Sequence, residues 1–298
     1  MNFVQFAESH GLLIRRLIPS EKVQRCQTVA KPSHKNGAYW FDGRSGWVWN
    51  WENGQESAAW WNDPNAKPHT LEDQRKINKK KAEIARAIAA KQAAAVERTR
   101  DAMRSAVNGE HGYLKAKSRG KAHALAKVKV PVLDDLIAII PMWDYITGEL
   151  LGMQKIWLKD NAWTKEFEPG TRASMACHRI GRGAIEIGCE GYATGLSIHE
   201  AIKSGSLDAH VVVCFNADNL LKIAKAGKMH CLFADNDRLA DSHAKLGFTE
   251  GVGQRVAKQA GIPFAISPIQ GEDANDMHAR VGTFGLLAEI IRMISMVR

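Results

Sequence analysis

The hydrophobic pattern of the chain is most regular between residues 184 and 282, where short apolar runs alternate with segments of helical periodicity. We predict strands at Ala184–Cys189, His210–Phe215, Lys228–Ala234 and Pro263–Ile266, and helices at Gly195–Lys203, Ala217–Lys225, Leu239–Ala260 and Ala274–Val281. Strands and helices that alternate in this way indicate an α/β fold, in which a parallel sheet carries helices on both faces.

The residues before this region also combine strands and helices. Three apolar runs, Val128–Val132, Ile137–Trp143 and Gly152–Leu158, have the length of strands. A long polar helix is predicted over residues 70–107, with Asn108-Gly109 as its end, and an amphipathic helix is predicted at Phe284–Met296. The thin apolar face of the long helix is typical of a helix that bridges domains or lies against a charged partner.

The N-terminal part is rich in tryptophan, since six of the nine tryptophans lie between residues 40 and 61. The segment from Ala38 to Trp51 predicts a β-hairpin with its turn at Asp42-Gly43 and Ser45-Gly46, and with Trp47, Trp49 and Trp51 on one strand face. Two interpretations remain open. The rings form the core of a small β module, or some of them stack on single-stranded bases.

We divide the chain into five parts on this pattern. They are a Trp-rich module (1–69), a basic helix (70–109), a first α/β subdomain (110–182), a second α/β domain (183–282) and a C-terminal helix (283–298).

The positive charge is concentrated in one segment of the 298 residues. The chain has 41 Lys and Arg against 32 Asp and Glu, a formal charge of +9. Residues 71–130 hold 16 Lys and Arg and 6 Asp and Glu, so the remainder is close to neutral. Charge pairs along a solvated helix would account for part of this surplus, and binding to nucleic-acid phosphates would account for the rest.

Several classes of protein are excluded by the sequence. No apolar run approaches the roughly 18–20 residues of a membrane span, and the first residues do not resemble a signal peptide. The five cysteines are widely spaced and form no Cys-x-x-Cys pair, so we expect free thiols and no zinc site. These features predict a cytoplasmic protein without a membrane partner.

Acidic residues follow three of the predicted strands. Glu190 follows the first, Asp235 and Asp237 follow the third, and Asp273 and Asp276 follow the last. Ligands bind at the carboxyl ends of strands in open α/β sheets, and paired carboxylates suit Mg²⁺. The alternative is that these residues are solvated loop acids or helix N-caps.

These segments resemble a known family. Residues 189–201, with Glu-Gly-Tyr-Ala-Thr-Gly followed by His-Glu-Ala, resemble the first motif of TOPRIM domains in phage and plasmid primases. Residues 211–220 resemble the strand and turn that follow, Asp235-Asn236-Asp237 resembles the Asp-x-Asp motif, and residues 273–278 resemble the closing segment. The match covers about residues 110–282.

The resemblance implies a TOPRIM-type DNA primase of a phage or prophage, active in the cytoplasm of a bacterial or phage-infected host cell. Such an enzyme makes short RNA primers from NTPs on a single-stranded DNA template. Glu190 would be a general acid or base or a metal ligand, and Asp235 and Asp237 would hold Mg²⁺ or Mn²⁺ with help from Asp273 or Asp276. Residues 110–182 would then be the primase subdomain before the TOPRIM domain.

Further contacts with nucleic acid follow from the same resemblance. The candidates for binding the template backbone or the incoming triphosphate are Lys155, Arg172, Arg179 and Arg182, although ordinary surface charge is the alternative for each. Trp47 and Trp49 are the candidates for stacking on template bases. The sequence has no phosphate-loop motif of a helicase, so we expect a separate replicative helicase as partner.

Two other functions share these residues. A TOPRIM nuclease would use the same metal site to cleave DNA, and a single-stranded-DNA-binding accessory protein would use none of the catalytic groups.

Overall fold

The structure is a computed structural model that describes residues 1–50, 58–64, 70–118, 124–239 and 249–297. The chain forms two units, one that includes Met1–Lys80 and one that comprises Lys81–Arg238 and Glu250–Arg298. In the ranges just given, no helix combines the length and the hydropathy that a membrane span requires.

In its described residues, the first unit contains a short N-terminal helix, an antiparallel sheet and the first residues of a long helix that continues into the second unit. The short helix is α1 (Phe3–Ser9), and the strands are β1 (Leu12–Leu13), β2 (Ser20–Thr28), β3 (Gly37–Phe41), β4 (Ser45–Asn50) and β5 (Ala59–Asn62), paired in chain order. The predicted hairpin is confirmed as β3 and β4. The Asp42 carboxylate holds its turn by accepting hydrogen bonds from the backbone N–H groups of Arg44 (2.8 Å) and Ser45 (2.7 Å).

One face of this sheet packs on α1. Phe3 and Ala7 form a buried cluster with Tyr39, Phe41 and Val48. A Cβ atom at Gly46 would lie 2.3 Å from the Phe3 ring, so a residue without a side chain is needed where the helix crosses the strand. The aromatic core of this unit is therefore built on one sheet face.

The second unit is a mixed α/β structure. Its helices are most of α2 (Leu71–Ser105), α3 (Gly112–Lys117), α4 (Tyr192–Ser204), α5 (Ala217–Lys225), α6 (Val252–Ala260) and α7 (Ala274–Ile294), with a 3₁₀ turn at Ala124–Lys127. Its strands are β6 (Val107–Glu110), β7 (Lys129–Leu133), β8 (Ile137–Asp144), β9 (Leu150–Lys159), β10 (Ala162–Phe167), β11 (Ala176–Ile180), β12 (Ile185–Cys189), β13 (Ala209–Val213), β14 (Cys231–Ala234) and β15 (Phe264–Ile266).

These ten described strands form one sheet. Its main order is β10-β9-β8-β11-β13-β12-β14-β15, and β7 pairs with both β8 and β6. The strands β13, β12, β14 and β15 are parallel, as predicted from the alternating pattern, whereas β11 joins them to the antiparallel strands. The sheet thus continues across residues 182 and 183, the expected border between two parts, and the five-part division stays a prediction.

The parallel strands are covered on both faces, because alternate side chains enter two different cores. Val211 and Phe233 lie in one cluster with residues of α4 and α7. Val212 and Leu232 lie in another with residues of α5 and α6. The near-continuous apolar runs of these strands are the expected result of burial on both sides.

Two buried asparagines fix the packing of the helices, one against the sheet and one against another helix. Asn219 of α5 donates hydrogen bonds from Nδ2 to the carbonyl oxygens of Ala176 (2.6 Å) and Cys214 (2.8 Å). Asn275 of α7 donates from Nδ2 to Ser197 Oγ of α4 (3.0 Å). Since an unpaired buried amide is costly, each pair specifies one packing arrangement.

The predicted end of the long helix is wrong. Asn108 and Gly109 do not cap it but belong to β6, where they pair with Pro131 and Val130. The helix ends at Ser105, and the chain enters β6 at Val107.

Other boundaries also differ from those predicted. Within the predicted helix Leu239–Ala260, the structure has a helix at Val252–Ala260, and residues 240–248 lie outside the described ranges. The two predicted C-terminal helices follow one another in α7 and are separated at Gly282, whose φ of 76° interrupts the helical geometry. Three strands of the second unit, β6, β10 and β11, were not predicted, because their short sequences mix polar and apolar residues.

The second half of α2 is packed rather than solvated. Ala95 and Thr99 are fully buried, and Arg98 bonds to Glu168 Oε1 (2.6 Å) and to the Pro169 carbonyl oxygen (2.6 Å). This part of the helix is therefore an integral element of the second unit.

Candidate active site at the carboxyl edge of the parallel strands

Acidic side chains gather where the parallel strands end. Glu190 follows β12, Asp235 and Asp237 follow β14, and Asp273 precedes α7. The charges of these aspartates and of Asp218, in the first turn of α5, all act on Glu190. The structure therefore brings four of the predicted residues together and adds Asp218.

Burial makes negative charge unfavourable at two of these carboxyls. It raises the pKa of Glu190, and the charge of Asp235 raises it further. Burial and the charge of Asp273 likewise raise the pKa of Asp235, whereas nearby Lys165 and Lys117 act to lower it. Glu190 Oε1 and Asp235 Oδ1 are buried and have no hydrogen-bond partner among the described residues.

The protein does not supply a complete metal shell at this edge. Within the described ranges, no three His, Cys, Asp or Glu side chains form a group that could by itself hold a metal ion. The cluster instead offers carboxylate oxygens whose negative charges are only partly balanced by lysine.

The loop that carries the Asp-x-Asp pair is held on both sides. Asn236 donates from its backbone N–H to the Glu272 carbonyl oxygen (3.0 Å), and Asp237 accepts from the backbone N–H of Gly253 in α6 (3.1 Å). A Cβ atom on Gly253 would lie 2.2 Å from the Asp235 carbonyl oxygen, so glycine lets the helix approach the loop. The helix N-terminus also favours the negative charge of Asp237.

Asp273 and Asp276 form a capping box at the start of α7. Asp273 Oδ1 accepts from the Asp276 backbone N–H (2.8 Å), and Asp276 Oδ2 accepts from the Asp273 backbone N–H (3.4 Å). Thr194 Oγ1 of α4 also donates to Asp273 Oδ2 (3.2 Å). The alternative interpretation as N-caps is thus confirmed for this pair, and a metal-binding role for them stays a prediction.

Two lysines beside the acids were missed by the sequence analysis. Lys117 ends α3, and Lys165 lies on β10. Desolvation by the surrounding protein lowers the pKa of the Lys165 ammonium, although the charges of Asp273 and Asp235 favour its charged form. The position of Lys165 beside the acids was not predicted, because β10 was not recognised as a strand.

Two of the predicted nucleic-acid contacts are engaged in ion pairs. Lys155 Nζ lies 2.9 Å from Glu168 Oε2, and Arg98 shares the same buried carboxylate. Arg172 pairs with buried Asp144 at 2.7 Å. These bonds stabilise the antiparallel part of the sheet, and a role in binding nucleic acid stays a prediction for both residues.

Arg179 takes part in a second polar cluster. Its guanidinium lies 5.1 Å from the centre of the Tyr145 ring, and the Tyr145 hydroxyl donates to Glu186 Oε2 (2.6 Å). Hydrogen bonds from His210 and Tyr145 lower the pKa of Glu186, although burial opposes this, and the same carboxylate raises the pKa of His210. Arg182 is exposed, and contact with nucleic acid stays a prediction for both arginines.

Part of the charge of α2 is paired along the helix itself. Arg100 bonds to Glu97, and Arg104 bonds to Asp101 at 3.1 Å, both at a spacing of three residues. The interpretation as helix charge pairs is confirmed for these arginines, and phosphate binding stays a prediction for the remaining basic residues.

Trp47 and Trp49 lie in the first unit. They are half-buried and alternate along β4 with Val48, which belongs to the core beneath α1. Their side chains therefore lie on the other sheet face, where Trp47 is directly opposite Trp40 of β3 and Trp60 of β5. Trp51, expected on the same face, is outside the described residues.

Comparisons with known proteins give limited information. No family model matches the chain, and no curated protein matches it. Among solved structures, the chain is similar to a DNA primase domain from Pseudomonas aeruginosa, with 15% sequence identity and a TM-score of 0.36. The alignment covers 62% of this chain and 64% of that one, so it spans less than two thirds of the length of that domain.

The raised pKa of Asp235 leads to a prediction about stability. A carboxyl whose pKa is higher in the folded than in the unfolded state stabilises the fold when protonated and loses that contribution as the pH rises. In metal-free buffer, Asp235→Asn should therefore be more stable than the wild type, by about 1–3 kcal/mol at pH 8. The difference should grow from about pH 4 to neutral pH.

Urea unfolding across this pH range measures the effect. Asp160→Asn changes an exposed aspartate between β9 and β10 and serves as the matched control, for which we expect no such trend. Equal stability of Asp235→Asn and the wild type at every pH would contradict the conclusion that the ionised Asp235 carboxylate destabilises the fold.

Proposed function

We propose that the chain is a TOPRIM-type DNA primase that makes short RNA primers on single-stranded DNA. The observation that carries the proposal is the group of acids at one sheet edge, with Glu190 and Asp235 each holding a buried oxygen without a hydrogen-bond partner. Buried carboxylates without partners are stabilised when a cation or a proton neutralises their charge. A bound metal ion and a carboxyl that exchanges a proton are both used in nucleotidyl transfer.

Mg²⁺ or Mn²⁺ fits the donor set of this cluster. Magnesium prefers carboxylate oxygens, and in many enzymes it is held by one or two carboxylates, by waters and by substrate phosphates. Asp235 and Asp237 would be the protein ligands, with Asp273 or Asp276 as an additional donor, and Glu190 would be left free to act as a base. When bound, the ion supplies screening of phosphate charge and activates the attacking oxygen.

Glu190 has the properties of a general base. Its pKa is raised from the usual value of a glutamate toward neutral pH, where a carboxylate accepts a proton most effectively in catalysis. In primer synthesis the proton would come from a 3′-hydroxyl that attacks the α-phosphate of the next nucleotide. The hydrogen bond from the Gly253 N–H would keep the Asp237 carboxylate in one orientation during this reaction.

The residues of the TOPRIM-like motifs have physical roles that support the proposal. Glu190 lies between β12 and α4, and Gly195 lets α4 approach the sheet, since a Cβ there would lie 2.6 Å from Val213 Cγ2. Asn275, within the closing segment, ties α7 to α4. The residues of the motif thus support the packing of α4 and α7 beside Glu190.

The proposed partners are a single-stranded DNA template, NTPs and a separate replicative helicase, in a phage-infected or bacterial cell. The basic residues of α2 that are not paired along the helix are the proposed contacts for the template phosphates. A nuclease would use the same acids to activate water, so the assay must follow synthesis and cleavage together.

The experiment incubates the full chain with single-stranded DNA, labelled NTPs and Mg²⁺ or Mn²⁺. We expect metal-dependent primers from the wild type and a loss of about 100-fold or more in Glu190→Gln, because the amide cannot accept the proton. Glu149→Gln, at an exposed position in the turn between β8 and β9, is the matched control and should retain activity.

Strand cleavage that is lost in Glu190→Gln would favour the nuclease. If the folded wild type neither synthesises nor cleaves, the catalytic proposal is wrong and an accessory DNA-binding role is favoured.

A second prediction concerns the tryptophans of β4. If Trp47 and Trp49 stack on bases, replacing either with Ala should weaken binding of an oligothymidine by about tenfold, and Trp47→Phe should restore most of it. Fluorescence anisotropy measures the affinity, with Ile18→Ala as a control at an exposed apolar position in the same unit. Unchanged affinity of the folded Ala variants would show that these rings serve only the structure of the sheet.

A further inference from the structure

The cluster of Arg179 and Tyr145 extends into the parallel part of the sheet. Its members are Tyr145 after β8, Arg179 of β11, Glu186 of β12 and His210 of β13, and we call this group the His210 latch. Glu186 and His210 are directly opposite each other in the pairing of β12 with β13, near the amino ends of both strands. The latch is therefore separate from the acids at the carboxyl ends.

Both ring nitrogens of His210 face oxygen atoms that can only accept hydrogen bonds. Nδ1 lies 2.8 Å from the Gly183 carbonyl oxygen, and Nε2 lies 3.3 Å from Oε1 of the Glu186 carboxylate. A neutral imidazole carries one N–H and leaves a lone pair facing one of these oxygens, whereas the imidazolium donates to both. The geometry thus favours the protonated ring.

The second oxygen of the Glu186 carboxylate also has a donor. The Tyr145 hydroxyl donates to Glu186 Oε2 at 2.6 Å. The side chains of His210 and Glu186 are only 13% and 15% exposed, so water has little room to replace a contact that is lost. Each lost contact therefore leaves a mostly buried polar atom unpaired.

Two further groups of the second unit face this pair. The Arg179 guanidinium donates to the Tyr145 carbonyl oxygen at 3.1 Å. Its positive charge favours the ionised Glu186 but opposes protonation of His210. His230, just before β14, accepts at Nδ1 from the Glu186 backbone N–H at 3.0 Å. The hydrogen bond to Glu186 outweighs the effect of Arg179, because the pKa of His210 is raised overall.

We propose that the His210 latch is a pH-sensitive switch that joins the turn after β8 to the parallel strands while His210 is protonated. Tyr145 lies in this turn, next to Asp144, whose carboxylate accepts hydrogen bonds from two backbone N–H groups of the same turn. When the proton passes from Nε2 to water, a lone pair faces Glu186 Oε1. The resulting repulsion displaces the carboxylate that holds Tyr145, and the turn is released.

The two charged partners determine the pH range over which the latch is closed. The hydrogen bond to Glu186 raises the pKa of His210 above its usual 6.5, so the stabilisation is complete below about pH 6.5 and is lost as the pH rises through the raised value. Although burial opposes ionisation of Glu186, hydrogen bonds from His210 and Tyr145 lower its pKa below the usual 4.5. This second contribution is complete above about pH 4.5 and is lost as the pH falls through the lowered value. The latch is therefore closed at weakly acidic pH and opens as the pH rises.

An NMR titration of the histidine ring signals of the full chain follows the proton on His210. The signal that is absent from His210→Gln identifies this residue. We expect it to titrate above pH 6.5 in the wild type and at lower pH in Glu186→Gln, because an amide does not favour the imidazolium. Glu166→Gln makes the same change at an exposed position of β10, and this matched control should leave the titration of His210 unchanged.

Hydrogen exchange of the amides of residues 145–149 tests whether this proton controls the turn. Protection factors, which correct for the intrinsic dependence of exchange on pH, should fall by about tenfold in the wild type between about pH 6 and about pH 9. Tyr145→Phe keeps the ring but removes the hydroxyl, so its turn should be poorly protected at both pH values.

A titration of His210 at or below pH 6.5, or one that does not change in Glu186→Gln, overturns the proposal. Equal protection of the wild-type turn at both pH values overturns it as well. If His210→Gln does not fold, through-bond correlation spectra of the wild type assign the ring signal, and the same criteria apply. None of these measurements depends on primer synthesis.

Discussion

The buried carboxyls of Glu190 and Asp235 determine how the rest of this site must work. Burial and mutual repulsion raise the pKa of both groups, and each keeps one buried oxygen without a hydrogen-bond partner in the described chain. In a protein interior, a carboxyl group is normally paired with a cation or a hydrogen-bond donor, or it is exposed to solvent. The arrangement is therefore a cost to stability that a bound cation, or a transferred proton, can offset.

The surrounding structure is rigid where these acids need support. Helices pack on both faces of the parallel strands, and the Asn219 and Asn275 amides fix two of them. Gly253 brings the N-terminus of α6 against the Asp-x-Asp loop, where its backbone N–H binds Asp237. Preorganised dipoles of this kind hold charge without reorganisation during a reaction, which is consistent with the nucleotidyl transfer proposed for the chain.

The sequence was most informative where burial on both faces produces a simple pattern. The four parallel strands are short, mainly apolar runs, and α/β alternation places their ends, and hence Glu190 and Asp235, at one edge. It was least informative where short strands mix polar and apolar residues. Because β10 was not recognised, Lys165 could not be placed beside the acids. Lys155 was interpreted without Glu168, a partner visible only in three dimensions.

The central claim is that the acids at this edge require a divalent cation, and thermal unfolding with and without Mg²⁺ or Mn²⁺ tests it most directly. The account predicts that the metal raises the melting temperature of the wild type, more at pH 8 than at pH 5.5, because protons compete for the carboxylates whose pKa values are raised. The shift should nearly vanish in Asp235→Asn. An equal shift in the variant, or none in the wild type at any pH, would contradict the account.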